Sequence, residues 1–336
     1  MRRLEAVHRQ SVGLALAHDL LFATLGRPTT LAFRLIDHRS FSLSGGAAGA
    51  EPIVWECPPM MLDRCWQDVG MTLRIYVTGT LHIVGELSPE AVPTRVDERM
   101  LPGRQGRLVL AMLAVEHRRP VSRDELAEEL WPDELPAAWE VAVRAVISKT
   151  RAALERLGTP LIDGAFGAYR WRMPPDGWLD LDECGAAVHR AESALRAGDL
   201  TGAAGDGLAA SVISGRPFLA GIDNPWVERQ RGRLREVRIR ALDCTSEVWL
   251  RTGDPGEAAR ESRRILDLDP YHEPAIRRTM RSLLAVGDRA AAARAYQDFR
   301  QRAVDDLGVE ASDETLDLRR ELLGDRLGTD EAPREA

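Results

Sequence analysis

Residues 136–157 decide the fold of the first half of the chain, and they read PAAWEVAVRAVISKTRAALERL. Four residues recur at spacings of four, three and four, which places them on one face of an α-helix: Val143, Ile147, Thr150 and Leu154. Pro136 is suited to open a helix, and Gly158 followed by Pro160 ends one. The stretch therefore predicts a helix over about residues 137–157, with its apolar face packed on a neighbouring helix.

The same helix carries a polar stripe. Its members are Arg144, Ser148, Arg151 and Glu155, and Lys149 lies beside them. Cations and a hydroxyl on one exposed stripe suit the phosphates and base edges of DNA. An ordinary solvated face with an Arg151–Glu155 ion pair explains the stripe equally well, so the helix alone leaves both interpretations open.

Strands and two shorter helices are predicted before this helix. Apolar and polar residues alternate over residues 72–97, which indicates an antiparallel sheet with one buried face. A first helix is predicted over Gln105–Glu116. Ser122, with Glu125 three residues later, is typical of a capping box that starts a second helix, and Trp131-Pro132 ends it.

A β-hairpin is predicted after the helix, with strands at Leu161–Asp163 and Tyr169–Arg172 around a turn at Gly164–Gly167. The order of strands, three helices and hairpin indicates an α+β winged helix-turn-helix domain, whose third helix enters the major groove of DNA. Arg170 and Arg172 favour DNA binding over a solvated helix face, because a wing needs cations to contact the DNA backbone.

From Leu179 onward the sequence has helical spacing and is rich in alanine. The pattern Leu-x-x-Gly-Asp-x-x-x-Ala occurs three times, starting at Leu195, Leu250 and Leu284. Gly253 and Gly287 are 34 residues apart, the period of the tetratricopeptide repeat. Glycine lets the chain turn between antiparallel helices, and alanine lets the helices approach closely. The pattern predicts an all-α, tetratricopeptide-like second domain; a generic helical bundle with chance Gly-Asp turns is the alternative.

The first 70 residues lack the periodicity of a packed domain, apart from a short helix predicted at Leu14–Leu25. They are interpreted as a regulatory extension, as a poorly ordered leader, or as the product of an upstream start codon with true translation from Met71. Four predicted domains follow in chain order: a poorly ordered extension at 1–70, a winged-helix DNA-binding domain at 71–173, a helical domain at 176–325 and a disordered tail at 326–336.

The formal net charge of −7 lies in the C-terminal half of the chain. Residues 1–70 and 71–173 are each neutral, whereas residues 174–336 carry the whole net charge of −7. Within the neutral middle segment, residues 136–173 carry a net charge of +3. The acidic total does not exclude a DNA-binding protein, because the local placement of charge governs binding to DNA.

Several other classes of protein are disfavoured. The longest apolar stretch, Val12–Leu25, is interrupted by His18 and Asp19, is too short for a membrane span and lacks a signal-peptide cleavage pattern. The 4 cysteines include no C-x-x-C pair, the 7 histidines are scattered, and no G-x-S-x-G motif occurs. We therefore expect a cytoplasmic protein that is not an enzyme and that binds neither a metal nor a cofactor.

Residues 72–325 resemble the Streptomyces antibiotic regulatory protein family, which joins an OmpR-type winged helix to a bacterial transcriptional activator domain. The resemblance rests on motifs in the family's order: RPVSRDEL at 119–126, LWPD at 130–133, AVR at 142–144, ISKTR at 147–151, GAYR at 167–170, LDLD at 179–182 and DLGVEAS at 306–312. Glu140 and Val141 depart from the family pattern, since relatives often carry a cation and an amide there. The chain also lacks the G-x-x-x-x-G-K-[ST] loop of the larger family members, so ATP binding is not implied.

The resemblance implies a sequence-specific transcriptional regulator that activates a biosynthetic gene cluster. Its expected partners are double-stranded promoter DNA, RNA polymerase holoenzyme and a second copy of the chain on DNA, with no membrane. The predicted DNA-binding residues are Arg144, which is assigned to a base edge, and Ser148, Lys149, Arg151, Arg170 and Arg172. The alternative is a protein-interaction scaffold whose winged helix no longer binds DNA, consistent with Glu140 and with the neutral charge of residues 71–173.

Overall fold

The computed structural model describes residues 72–86 and 92–323, together with the backbone of three strands nearer the N-terminus. These strands are β1 (Ala32–Asp37), β2 (Ser40–Ser44) and β3 (Ile53–Glu56), and they form an antiparallel sheet in that order. The sequence analysis predicted no strands in this segment. The helix predicted at Leu14–Leu25 and the tail predicted at 326–336 lie outside the described residues.

Two compact units divide the described residues. The first unit contains the described residues up to 186 together with residues 212–234, and the second unit contains residues 187–211 and 235–323. The first unit therefore includes a segment that follows the winged-helix region by about forty positions in the sequence. The domain limits inferred from the sequence stay predictions.

The sheet predicted over residues 72–97 is present in the first unit. Its antiparallel strands are β4 (Thr72–Tyr76), β5 (His82–Glu86) and β6 (Thr94–Asp97). Leu73 and Ile75 are fully buried, whereas Arg74 between them is exposed, so β4 has one apolar face as its alternating pattern predicts.

The three helices that the sequence predicted follow this sheet. They are α1 (Gly103–Val115), α2 (Arg123–Leu130) and α3 (Trp139–Leu154), and a 3-10 turn at Glu155–Leu157 extends α3. Helices α1 and α2 both pack on α3. The apolar face of α3 is buried as predicted: Val143, Ile147, Thr150 and Leu154. Helix α3 starts two residues later than predicted, because the preceding residues form a turn in which the Trp139 N–H donates to the Pro136 carbonyl at 3.0 Å.

The hairpin that follows α3 is part of a separate three-stranded sheet. Its strands are β7 (Val121–Ser122), β8 (Ile162–Ala165) and β9 (Ala168–Trp171), in the order β7-β9-β8. Strand β7 directly precedes α2, and the Ser122 hydroxyl accepts a hydrogen bond from the Glu125 N–H at 3.0 Å. This bond confirms the predicted N-cap. The hairpin is therefore attached both to the end of α3 and to the start of α2.

A buried carboxylate joins the sheet that contains β4 to the helix that follows β10. Strand β10 (Trp178–Leu179) pairs in parallel with β4, and α4 (Asp180–Ala197) starts directly after it. The Asp180 carboxylate accepts hydrogen bonds from the N–H groups of Val77 and Thr78 at 2.9–3.1 Å and from the Thr78 hydroxyl at 2.7 Å. Complete burial outweighs these bonds and raises the pKa of Asp180 to about 6.

Residues 212–234 contact α2 through a polar cluster. The Asn224 side-chain amide donates to the Glu129 carbonyl at 2.6 Å, and the Glu129 carboxylate accepts from the Trp226 N–H at 3.2 Å and from Arg229 at 2.6 Å. Glu129 is the penultimate residue of α2, so this cluster fixes the C-terminal end of the second of the three helices.

The second unit is built from helices joined by tight turns. The remaining helices of the described chain are α5 (Leu200–Ser214), α6 (Pro225–Arg251), α7 (Pro255–Leu268), α8 (Glu273–Ala285), α9 (Arg289–Arg302) and α10 (Asp313–Leu323), with a π-helical turn at Ala303–Leu307 after α9. Helix α8 packs on α7, α9 and α10. Met280 of α8 and Phe299 of α9 lie in the main apolar cluster of this unit.

The three Gly-Asp repeats have one geometry. Their glycines have φ values of 78°, 86° and 83°, in the left-handed region that favours glycine: Gly198, Gly253 and Gly287. The aspartate after each glycine accepts a hydrogen bond from a backbone N–H three residues on, at 2.8–3.0 Å: Asp199, Asp254 and Asp288. The alanines of the pattern are fully buried: Ala203, Ala258 and Ala292. The glycine thus turns the chain between helices, as predicted, and the aspartate caps the next helix, which the pattern had not been used to predict.

Among the described helices, none combines the length and apolarity that a bilayer crossing requires. The described residues also contain no cluster of histidine, cysteine and carboxylate side chains that could hold a metal ion.

Candidate nucleic-acid interface

The predicted polar stripe of α3 is exposed. Arg144, Ser148, Lys149 and Arg151 are all exposed to solvent, and none of them belongs to the buried face of the helix. A stripe of this kind is available to a macromolecule without any rearrangement of the first unit.

Arg144 has one weak partner. Its Nη1 lies 3.8 Å from the Glu140 carboxylate, one turn earlier on α3, and both side chains are about half exposed. An exposed pair at this spacing contributes only about 0.3–0.5 kcal/mol. Arg144 is thus held loosely over the N-terminal half of the helix, and Glu140 stands beside it as a local negative charge.

Arg151 is braced against the hairpin, which the sequence analysis did not predict. Its Nε donates to the Ile162 carbonyl at 3.2 Å, and its guanidinium carbon lies 5.7 Å from the centroid of the Tyr169 ring. A methyl group placed on Gly164 would lie 3.1 Å from Nη2 of Arg151, so this guanidinium packs on the backbone of β8. Arg151 therefore joins α3 to the hairpin while its side chain stays exposed.

The two predicted hairpin cations differ in their surroundings. Arg170 is exposed, and its Nη2 donates to the Arg118 carbonyl at 3.4 Å. Arg172 forms an ion pair with Asp163 on the neighbouring strand. Arg170 keeps its full charge for a partner, whereas Asp163 partly neutralises Arg172.

The turn of the hairpin presents an aromatic side chain that the sequence analysis missed. Phe166 is fully exposed and has a φ of 49°, and Gly167 after it has a φ of 78°. The Gly167 carbonyl accepts from the backbone N–H of Arg123, the first residue of α2, at 3.0 Å. The sequence signal was a large aromatic residue in a turn that otherwise holds glycine and alanine.

Arg123 is a second residue that the sequence analysis did not single out. Its guanidinium carbon lies 5.9 Å from the centroid of the Tyr169 ring, and its Nε is buried with no hydrogen-bond partner among the described residues. Two guanidinium groups, of Arg123 and Arg151, thus approach the same tyrosine at the base of the hairpin.

An ion-pair network fixes the segment before α2. Arg119 donates to Glu125 at 2.6 and 2.9 Å and to Glu116 at 2.9 Å. The hydrogen bonds from Arg119 hold the pKa of Glu125 below its usual range. These charges satisfy one another, so they position β7 and α2.

A family model described as the bacterial transcriptional activator domain matches residues 179–323. Regulatory protein AfsR of Streptomyces coelicolor is 30% identical over 219 residues, which cover 65% of this chain and 22% of AfsR. Transcriptional regulatory protein EmbR of Mycobacterium tuberculosis is 26% identical over 209 residues, which cover 61% of this chain and 53% of EmbR. The chain thus spans about half or less of the length of these curated relatives.

The fold also resembles a solved structure. Mycobacterium tuberculosis EmbR in complex with a low affinity phosphopeptide aligns with a TM-score of 0.64 and 22% identity, over 75% of this chain and 65% of that one. At this identity the likeness concerns the fold alone, a small-sheet N-terminal region followed by a helical domain. The domain match and the two regulators confirm the resemblance to the Streptomyces antibiotic regulatory protein family that the sequence motifs indicated.

Proposed function

We propose that this protein is a sequence-specific DNA-binding transcriptional regulator that activates a biosynthetic gene cluster from the cytoplasm. The first unit would act as an OmpR-type winged helix, with α3 in the major groove and the β8–β9 hairpin on the adjacent backbone. The observation that carries the proposal is the exposed cationic stripe of α3, which Arg151 braces directly against the hairpin. Two cationic elements held in a fixed relation match two neighbouring features of a duplex.

Some residues of this surface would contact base edges, and others would bind phosphates. Arg144 lies in the N-terminal half of α3, where recognition helices contact base edges, and a guanine offers its guanidinium a bidentate partner. Exchange of the weak Glu140 pair for such a contact is favourable, because the pair contributes so little. Ser148 would supply a hydroxyl, and Lys149 and Arg151 would bind phosphates.

On the hairpin, Arg170 and Arg172 would bind the DNA backbone. Arg170 is exposed with only a carbonyl partner, so it would contribute more than Arg172, which must share its charge with Asp163. The contact with the backbone positions α3 and carries no sequence information directly.

The helical region at residues 179–323, which contains the second unit, would bind the protein partners. Residues 179–323 match the bacterial transcriptional activator domain, and helical repeats of this kind present extended surfaces to other proteins. We assign to this unit self-association as a homodimer on DNA or contact with RNA polymerase holoenzyme. The proposed limits remain 71–173 for the DNA-binding domain and 176–325 for the helical domain, and no cofactor is required for either role.

A protein-interaction scaffold without DNA binding is the second candidate. The exposed Glu140 at the start of α3 favours it, because a carboxylate near a phosphate repels it, and the neutral charge of residues 71–173 agrees. In this case the exposed stripe of α3 would be an ordinary solvated face.

A gel-shift assay with the full chain separates the two candidates. The probe is the DNA fragment upstream of the chain's own gene, followed by a library of random duplexes. We expect a retarded complex that Lys149→Glu abolishes. The control Arg264→Glu also reverses an exposed cation, but on α7 of the second unit, and should bind as the wild type does. Failure of both probes to bind at low salt would favour the scaffold.

A further inference from the structure

Phe166 combines two unfavourable features at the tip of the β8–β9 hairpin. Its side chain is fully exposed, and its φ of 49° lies in the left-handed region. A left-handed conformation is unfavourable for a residue with a bulky side chain, and two-residue hairpin turns of this shape prefer Asn-Gly or Gly-Gly. Strain that persists at one exposed residue points to a role outside the fold's own stability.

The tip is held in place by neighbouring backbone. Ala165 pairs with Ala168 across the hairpin, and Ala168 pairs on its other side with Ser122 of β7. The carbonyl of Gly167 is fixed by the Arg123 N–H at 3.0 Å. The aromatic ring is therefore presented from a defined position rather than from a long loop, so little order would be lost when it engages a partner.

Two cations stand close to the turn. Arg151 packs on the backbone of Gly164, two residues before Phe166, and Arg123 follows directly after the strand that pairs with the hairpin. Both guanidinium groups approach the Tyr169 ring in β9. A single aromatic residue with positive charge beside it matches a groove of a duplex, where stacked base pairs lie between two rows of phosphates.

We infer that Phe166 is a wedge that enters the minor groove of bound DNA beside the site of α3 and partly unstacks one base step. Apolar side chains inserted between base pairs kink the duplex toward the major groove and so increase the surface that the protein covers. Flexible pyrimidine–purine steps deform most easily, so the wedge would add sequence preference without any hydrogen bond to a base. This inference rests on the proposed DNA binding.

The test uses the full chain and a duplex that the wild-type chain enriches from a random-sequence library. Phe166→Asn removes the ring and leaves the Asn-Gly pair that this turn favours, so its melting temperature should equal or exceed that of the wild type. Its affinity for the enriched duplex should fall by about 5- to 150-fold, the range for the loss of an aromatic–base stack. The dependence of affinity on salt should stay unchanged, because an apolar contact releases no counterion.

A matched control and a direct probe of unstacking complete the test. Val92→Ala truncates another exposed apolar residue of the first unit, 88% exposed before β6, and should leave affinity unchanged. With 2-aminopurine at the central steps of the duplex, the wild type should raise the fluorescence and Phe166→Asn should not.

Each outcome decides a different claim. If no duplex is enriched, the proposed DNA binding fails and the wedge fails with it. If a duplex is enriched but Phe166→Asn binds it as tightly and gives the same fluorescence, DNA binding stands and the wedge is refuted. If Phe166→Asn changes only the sedimentation of the chain, Phe166 belongs to a protein interface and the wedge is again refuted.

Discussion

Arg151→Ala should affect both the stability of the first unit and the salt dependence of DNA binding. The truncation removes the Nε hydrogen bond to the Ile162 carbonyl, at 3.2 Å and half-buried, and the contact with the Tyr169 ring at 5.7 Å. A hydrogen bond of this kind contributes about 0.5–1.5 kcal/mol and an accessible cation–π contact about 0.5–1 kcal/mol. The free energy of unfolding should therefore fall by about 1–2.5 kcal/mol.

Arg144→Ala is the matched control on the same helix. Arg144 has only the 3.8 Å pair with Glu140, so its loss should change the free energy of unfolding by less than about 0.5 kcal/mol. On DNA the two variants should also differ, because Arg144→Ala should change sequence specificity and Arg151→Ala should not. Arg144→Ala should weaken binding to the enriched duplex by about 1–3 kcal/mol and relax specificity at one base, whereas Arg151→Ala should weaken all sequences and lower the salt slope by about one unit.

Stability is measured by urea denaturation of the full chain, with tryptophan fluorescence as the signal. DNA binding is measured by fluorescence anisotropy with labelled duplexes at several salt concentrations. Equal stability of Arg151→Ala and the wild type would mean that Arg151 does not brace the hairpin. Unfolding of Arg144→Ala would mean that α3 is rotated from the arrangement described above, with the polar stripe in the core.

The remaining predictions concern the core, a buried acid and the N-terminal segment. Ile147→Ala truncates a side chain that is 1% exposed and should lower the free energy of unfolding by about 2–5 kcal/mol; a smaller loss in urea denaturation would place Ile147 outside the core. The raised pKa of Asp180, about 6 in the folded state, means that the fold binds this proton more tightly than the unfolded chain does. The protonation of Asp180 should therefore raise the free energy of unfolding as the pH falls from about 7 toward 4. In Asp180→Asn the free energy of unfolding should depend less on pH over this range. The same pH dependence in that variant as in the wild type would contradict the assignment. Deletion of residues 1–70 should leave solubility and DNA affinity nearly unchanged, and an insoluble chain or one that binds DNA much more tightly would assign that segment a structural or inhibitory role.

Local patterns were sufficient to predict the sheet over residues 72–97 and the three helices that follow it. The spacing of Val143, Ile147, Thr150 and Leu154 predicted a buried helix face, and all four are buried. Ser122 and Glu125 predicted a cap that is present at 3.0 Å. These features depend on residues three or four positions apart, which periodicity and capping chemistry report directly.

The Gly-Asp repeats were equally accessible to sequence reasoning. Gly287 needs a left-handed φ to turn the chain, and Ala292 must be small because it is fully buried, as the pattern predicted, whereas the cap that Asp288 forms on the next helix was not predicted. The same two requirements recur at each repeat, which is why the pattern could be recognised without a structure.

Contacts between residues far apart in the sequence were not predictable. Asp180 bonds to Val77 and Thr78 across 102–103 positions, and Asn224 bonds to Glu129 across 95. Nothing in the local sequence of either residue signals its partner, because such contacts depend on tertiary packing. The strained backbone of Phe166 was not predicted for a similar reason, since the sequence shows the aromatic residue but not its φ of 49°.

The salt dependence of DNA binding by the full chain tests the central claim most directly. Four cations are assigned to phosphates: Lys149, Arg151, Arg170 and Arg172. With about 0.9 counterion released per phosphate, the logarithm of the association constant should fall with the logarithm of the salt concentration at a slope of about −3 to −4 per protomer. Fluorescence anisotropy with the enriched duplex measures this slope, and Lys149→Ala should lower its magnitude by about one unit. A slope near zero, or no binding to any duplex at low salt, would contradict the assignment of the first unit as a DNA-binding domain.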